Sequence, residues 1–504
     1  MGNNFLNGLQ KANNFTYTEN GALTHSTSGQ ALMDLFAMGA AYRSRSNEDV
    51  IFLFKKAYNE NPTYALKCLF YIADCRGGQG ERRFFRVCAR WLASYDTEAM
   101  KRNLSHIPEY RRWDDLFVFI GTPLEKDALE IVKNQLALDV QCKTPSLLAK
   151  WMPSENTSSK QTRAHAQVMR KYLGWTHKQY RKTLSILRAR INVLERLMSE
   201  GRWDEIEFDK IPSKAGLKYK NAFARHDIER VKSEKNVVSY ADFAKDTTTK
   251  VNAKDLYPYE VVDKAMKVCG RSLEDTERLM VNKYWENLAN YFGDKTFNGL
   301  AVVDTSGSMT WSGGAAAPIN VAISLGLYCA ERAKGPFAGH YVSFSRRPQL
   351  IKTDGVDFVD KVKRIYRTNL CENTNIEATF DMLLNTALAN KCTQDELPEN
   401  IIIISDMEFD SARGVGYYSR DNSNARRTLM EGIEAKWNAH GYRMPKLIFW
   451  NVEARQDNIP MEMKDGISFV SGMSPSIFNQ IMTGKTAYDL MMEVLDGARY
   501  ERIG

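Results

Sequence analysis

The sequence predicts two domains of different class, an α-helical repeat over residues 1–295 followed by a doubly wound α/β domain over 296–504. Three observations predict it. Up to about residue 295, apolar residues recur at helical spacing between short loops. Beyond it, strand-length apolar runs alternate with helical ones. The charge balance divides at nearly the same place: residues 301–504 carry 22 Lys and Arg against 25 Asp and Glu, whereas residues 1–300 carry 47 against 36. A chain of 504 residues also exceeds what one hydrophobic core normally organises.

In the first part, helices are expected at 29–43, 46–59, 62–75, 80–94, 125–140, 162–173 and 273–292. The clearest period lies in HKQYRKTLSILRARINVLERLM, residues 177–198. There Tyr180, Leu184, Leu187, Ile191, Leu194 and Met198 alternate steps of four and three and share one helix stripe. Lys178 and Lys182 fall on the opposite face, with Arg181 and Arg188 on a flank. Short connections between such helices suit antiparallel pairs stacked as a solenoid or ring. Residues 199–260 carry no pattern that assigns them.

In the second part, strands are expected at 300–304, 340–345, 349–353, 401–406, 446–452 and 467–472, the second and third as a hairpin. Helices are expected near 318–333, 356–366, 375–390 and 424–439, and again toward residue 504. Strands apolar on both faces and separated by helices imply a mostly parallel sheet covered on two sides. On this pattern 296–504 is expected to fold alone.

With 26% charged and 43% hydrophobic residues the composition is that of a globular protein. No apolar run approaches the roughly 18 residues of a membrane span, and MGNNFLNGLQKANNF has neither a basic nor an apolar leader region. The eight cysteines include no CxxC pair. A reducing, cytoplasmic setting without membrane contact is expected.

Residues 143–190 contain eleven basic residues and a single acid, Glu155. A one-signed block is either a solvated helix face or a field that attracts polyanions through their phosphates. As an RNA surface its candidates are Lys160, Arg163, Arg170, Lys171, Lys178, Arg181, Lys182 and Arg188. Trp151, Tyr172, Trp175 and Tyr180 are the aromatics near enough in sequence to stack on bases, although Tyr180 lies on the packing stripe. CRGGQGERR (75–83) reads either as a glycine-rich phosphate cradle or, preferably, as a tight turn between helices. It lacks both GK[ST] and GxGxxG. Arg76, Arg82 and Arg83 are its candidate phosphate contacts.

VVDTSGSM, 302–309, ends a buried strand and then alternates Asp304, Ser306 and Ser308 along one loop. Alternate residues there can turn oxygens toward one point, and a hard cation takes such ligands while keeping waters. Asp406 ends a second core strand at the same sheet edge. Thr374, just before a helix, offers a further oxygen. Mg²⁺, or Mn²⁺ or Ca²⁺, is the expected ion.

DTSGSM, NTNIEATF and IIIISDMEFD together resemble the three metal-site loops of a von Willebrand factor A domain. That resemblance implies a metal-ion-dependent adhesion site formed by Asp304, Ser306, Ser308, Thr374 and Asp406, open to an Asp or Glu from a protein partner. IADCRGGQGERRFFRV, YRRWDDLFVF and SLLAKWMPSEN resemble the HEAT-like helical module of Ro-type (TROVE) RNA-binding proteins. They resemble still more a related Ro-like group of plants and phages. The resemblance covers most of the chain and implies a non-catalytic ribonucleoprotein holding structured or single-stranded RNA. The alternative it leaves open is an assembly scaffold, virion-associated if the source is a phage.

No HExxH, GxSxG or nucleophile–base pattern points to an enzyme or a small-molecule substrate. Asp406, Glu408 and Asp410 read either as a second metal cluster or, preferably, as a solvated loop edge.

Overall fold

The computed structural model describes residues 14–191, 193–233, 238–310, 316–344, 347–367, 375–411, 428–482 and 485–504. Its contacts separate two compact units, Met1–Cys68 with Leu256–Ala498, and Leu69–Asp255 with Arg499–Gly504. The division expected near residue 295 therefore falls inside the first unit.

That unit is built on a six-stranded sheet. A short antiparallel ribbon, β1 (Phe15–Tyr17) and β2 (Leu23–His25), precedes it in the chain. The sheet contains β3 (Gly299–Asp304), β4 (His340–Phe344), β5 (Gln349–Lys352), β6 (Asn400–Ser405), β7 (Lys446–Asn451) and β8 (Ile467–Ser471). Their spatial order is β5-β4-β3-β6-β7-β8, parallel throughout except for β5, which pairs antiparallel to β4 as the expected hairpin. GLAVVD and NIIIIS are central because their side chains are apolar on both faces, and all of β3 is buried. QLIK, mostly exposed, is the edge. From β3 the chain winds one way to β4 and β5, and from β6 the other way to β7 and β8. The direction of winding thus reverses at the adjacent pair β3 and β6, and such a switch point opens a crevice beyond the strands' carboxyl ends.

Segments on both sides of the expected boundary complete this core. In the helix Ala31–Met38 every residue but Ala31 is buried. The helix packs on β8, where Ser471 Oγ donates to Phe36 O at 3.1 Å. The helices Pro258–Val268 and Thr276–Glu286 pack against Phe358–Arg367, and the former also against Pro318–Arg332. Trp285 stacks on Phe358 at 4.1 Å between centroids, and Arg278 forks onto Asp357 with two bonds of 2.8 Å. Helical periodicity identifies these segments as amphipathic but carries no information about which core their apolar faces join.

The second unit is helical among its described residues. Its helix Lys160–Tyr172 is capped by Ser159, and His177–Arg190 by a reciprocal capping box of Thr176 and Gln179. The expected continuous helix over 177–198 is instead two, His177–Arg190 and Leu194–Ser199. Tyr180, Leu184 and Leu187 are buried as the stripe requires, but the second helix buries Leu194 and Leu197 rather than Met198. Residues 199–260, unassigned from sequence, gather Phe208, Phe223, Tyr240 and Phe243 into one aromatic cluster. Arg230 lies 4.2 Å from the Phe208 ring centre and donates to Trp203 O and Ile206 O.

CRGGQGERR is a turn. A Cβ on Gly78 would stand 2.0 Å from Tyr71 O, and Gly80 has φ of 68°. The turn buries Asp74, whose carboxylate takes Arg499 Nη2 at 2.8 Å and Tyr500 Oη at 3.1 Å.

A fragment 296–504 lacks the helices that cover β8 and those that pack on Pro318–Arg332 and Phe358–Arg367. We expect it to bind ANS and to lose its structure on heating without a cooperative transition. In the full chain, Leu35→Ala, at a fully buried position, should lower unfolding free energy by about 2–5 kcal/mol in a denaturant titration.

Candidate functional site

Parallel register sets the geometry at the switch point. The last β3–β6 partners are Val303 and Ile404, so Asp304 follows on one strand and Ser405 and Asp406 on the other. All three are buried. Asp304 Oδ1 accepts the Ser306 amide at 2.9 Å, and Oδ2 accepts Ser405 Oγ at 2.6 Å. Ser306 Oγ and Ser308 Oγ are 3.0 Å apart. Asp406 Oδ1 accepts the Glu408 amide at 3.1 Å, whereas Oδ2 is buried and takes no hydrogen bond. Arg455 Nη1, 3.8 Å away, is the cation nearest Asp406 Oδ2 among the described ion pairs, and the same guanidinium holds Glu19 Oε2 at 2.5 Å. Between Asp406 and Glu408, Met407 adopts φ of 65°, a left-handed conformation that side chains other than glycine seldom accept.

The structure thus brings together Asp304, Ser306, Ser308 and Asp406. Thr374 lies outside the described residues. The preferred reading of Asp406, Glu408 and Asp410 as a solvated edge is corrected. Glu408 is fully buried, accepting the Glu19 amide at 2.6 Å and Asn458 Nδ2 at 3.0 Å. Asp410 bridges to Gly21. Ser405, sitting beside Asp406 in IIIISD, was within reach of a sequence argument. Glu19, Arg455 and Asn458 arrive from distant loops that carry no local signal.

Burial dominates the electrostatics. It raises the Asp304 carboxyl to about 7, with the Asp406 charge adding to the shift and bonds from Ser405 and Ser306 opposing it. Burial also raises Asp406, against the pull of the Glu408 amide, Ser308 and Arg455. Glu408 is pushed up to about 7 for the same primary reason. Among the described residues no group of three His, Cys, Asp or Glu is arranged to hold a metal ion. What the edge offers instead is a mixed set of two carboxylates and two hydroxyls, with one carboxylate oxygen unsatisfied. Such a donor set fits a hard cation.

In the other unit, Lys160, Lys171, Lys178, Arg181 and Lys182 are exposed, and none makes an ion pair among the described residues. The remaining candidates are committed to the fold. Arg163 Nη1 donates to Thr157 O and Ser158 O, and Arg170 binds Glu155 and Trp175 O. Arg188 donates to Ala149 O and Met152 O at 2.8 and 3.0 Å. Arg82 pairs with Asp114 and Asp115, and Arg76 donates to Glu109 O. Arg83 is half-buried beside the Glu81 cap. Tyr180 is core, its hydroxyl on Pro153 O, while Trp151 lies under the Arg112 guanidinium at 4.0 Å.

Family comparison divides the chain where its pattern changes. Residues 298–500 match one domain of unknown function, DUF7788. Residues 18–167 and 145–296 match another domain of unknown function, DUF2828, over more than half of the chain. The chain belongs to the DUF2828 family. An uncharacterised protein of Acanthamoeba polyphaga mimivirus is 30% identical to this DUF2828 chain over 522 residues, covering 96% of it and 87% of the viral protein. The DUF2828 matches include 18–68 and 256–296, the segments that complete the core of the sheet-containing unit. No helix among the described residues is long and apolar enough to cross a membrane.

The raised Asp304 carboxyl gives the DUF2828 protein a pH signature. An acid whose folded value lies above its unfolded one favours folding while protonated. Its contribution is full below about 3.8 and is lost as pH rises toward about 7. In EDTA, the melting temperature should therefore fall between pH 5 and pH 8. Asp304→Asn, which cannot ionise, should reduce that dependence in a calorimetric pH series, the remainder coming from Glu408 and Asp406.

Proposed function

We propose that this protein is a non-catalytic, Ro-like RNA-binding protein whose helical unit holds RNA and whose sheet edge carries a divalent cation that docks an acidic partner. The observation that carries the RNA reading is the set of five exposed, unpaired cations on the consecutive helices Lys160–Tyr172 and His177–Arg190. Phosphates are the counter-charge such a surface lacks. The unit bearing it, residues 69–255 with 499–504, holds 37 Lys and Arg against 25 Asp and Glu, so the positive charge of the chain is concentrated there. A HEAT-like, TROVE-type arrangement of the helices and a von Willebrand factor A-like identity for the sheet belong to the same reading, supported by the sequence motifs.

The cation site rests on Asp304, Ser306, Ser308 and Asp406, with Thr374 as the fifth ligand by resemblance. The bound ion would supply positive charge to two carboxylates that burial and mutual repulsion otherwise disfavour. Asp406 Oδ2, buried without a hydrogen bond, favours that role. It also keeps a second reading in view, an assembly scaffold whose partner supplies an Asp or Glu to the ion.

Two measurements test the pair of claims. Charge reversal at Lys171, Lys178 and Lys182 should weaken RNA binding whatever the sequence and make the log–log salt slope shallower by about 2. Unchanged affinity in a folded variant would remove this surface from consideration. Calorimetric titration with Mg²⁺ or Mn²⁺ should give binding to the wild type that Asp304→Ala abolishes, with Ser306→Ala milder because water can replace a neutral hydroxyl. Equal heats in wild type and Asp304→Ala would refute the cation site.

A further inference from the structure

Where the helices Lys160–Tyr172 and His177–Arg190 meet, the basic surface is indented by a cavity of about 300 Å³ lined by Glu155, Asn156, Arg163, Gln167, His177 and Arg181. That volume is at the lower end for small-ligand sites. Its wall contains the one acid of the basic stretch. The Glu155 side chain is 10% exposed. Its Oε1 accepts Arg170 Nε at 3.0 Å and lies 2.8 Å from His177 Nδ1. Its Oε2 accepts from no described residue. That oxygen is reached by solvent, so water donates to it in the free protein and an N–H of a ligand in the cavity can take the water's place.

The rest of the wall has the opposite polarity. Arg163 spends Nη1 on Thr157 O and Ser158 O, which leaves Nε and Nη2 free. Arg181 makes only a long bond from Nε to His177 O, 3.4 Å, leaving both terminal nitrogens free. The amides of Asn156 and Gln167 can each donate or accept. A matching ligand offers one N–H donor beside ring acceptors and carries negative charge. Cytosine and adenine present an exocyclic amino donor beside a ring-nitrogen acceptor, and a carboxylate is a known acceptor for such an amine. Uracil presents a carbonyl oxygen where cytosine has the amine, and two acceptors would then face each other.

We propose that this cavity takes one unstacked nucleotide of a bound RNA, adenine or cytosine, with the exocyclic amine on Glu155 Oε2 and the phosphate on Arg181. The proposal rests on the RNA-binding reading and adds a base preference to it. Exposed cations alone bind any sequence; an acceptor placed inside them discriminates.

The test uses the full chain and labelled hexamers in fluorescence anisotropy: hexauridylate, and the same hexamer with one central cytidine, adenosine or N4,N4-dimethylcytidine. Wild type should bind the cytidine and adenosine hexamers at least about fivefold more tightly than hexauridylate. Dimethylation, which removes both amine protons, should cancel the gain, and this comparison needs no variant. Glu155→Gln should retain the affinity for hexauridylate and lose the preference. No preference in wild type, or one that survives dimethylation or Glu155→Gln, would overturn the proposal while leaving RNA binding intact. Failure of wild type to bind any hexamer would overturn both.

Discussion

Two carboxylates end adjacent parallel strands at a place where water is excluded, and much of the sheet-containing unit is arranged around that fact. Parallel pairing of β3 with β6 obliges Asp304 and Asp406 to share one edge, and burial makes their charges expensive. The surrounding groups act to lower that cost. Ser405 and two loop amides donate to the carboxylates, and Arg455 approaches from the loop after β7. The ribbon of β1 and β2 belongs to the same arrangement. From it Thr18 Oγ1 donates to Phe409 O, and the Glu19 amide donates to Glu408. What these donors leave unsatisfied is one oxygen of Asp406.

The basic half divides by side-chain chemistry. Arg163, Arg170 and Arg188 each reach backbone carbonyls of neighbouring segments. A planar fork of donors can span two such acceptors at once. Lys160, Lys171, Lys178 and Lys182 have no such geometry and remain in water. Counting positive charge along the sequence therefore overstates the surface that a polyanion can meet. Several of the eleven basic residues stitch helices together, and the exposed set is smaller and mostly lysine.

Strand and helix positions in the second half were legible because each element carries an unbroken apolar run or a clean period. Asp304 and Asp406 were legible because a polar residue directly after such a run must sit at a strand end. Helix membership was not. The periodicity of Ala31–Met38 and Thr276–Glu286 reports an amphipathic helix, yet both apolar faces close a core whose strands begin at residue 299. The break between His177–Arg190 and Leu194–Ser199 was hidden for a related reason. An apolar stripe that steps by three and four remains in phase across a short interruption, so Leu194 reads as continuing it. Glu155 was visible only as an exception to a charge count. Its two oxygens acquire different roles through Arg170 and His177, a distinction that exists only once the helices are in place.

The helical unit is discontinuous in sequence, since residues 499–504 belong with 69–255. Asp74, fully buried, receives its guanidinium and phenol donors from Arg499 and Tyr500. On a ribosome the helices up to residue 255 emerge long before those partners, because residues 256–498 must be made first. Throughout that interval the Asp74 carboxylate has the Arg76 amide but not its cation, and the nascent helical unit is incomplete. Completion of this unit is therefore tied to synthesis of the sheet-containing one. A frameshift or premature stop anywhere in 256–498 would leave the earlier helices unfinished as well.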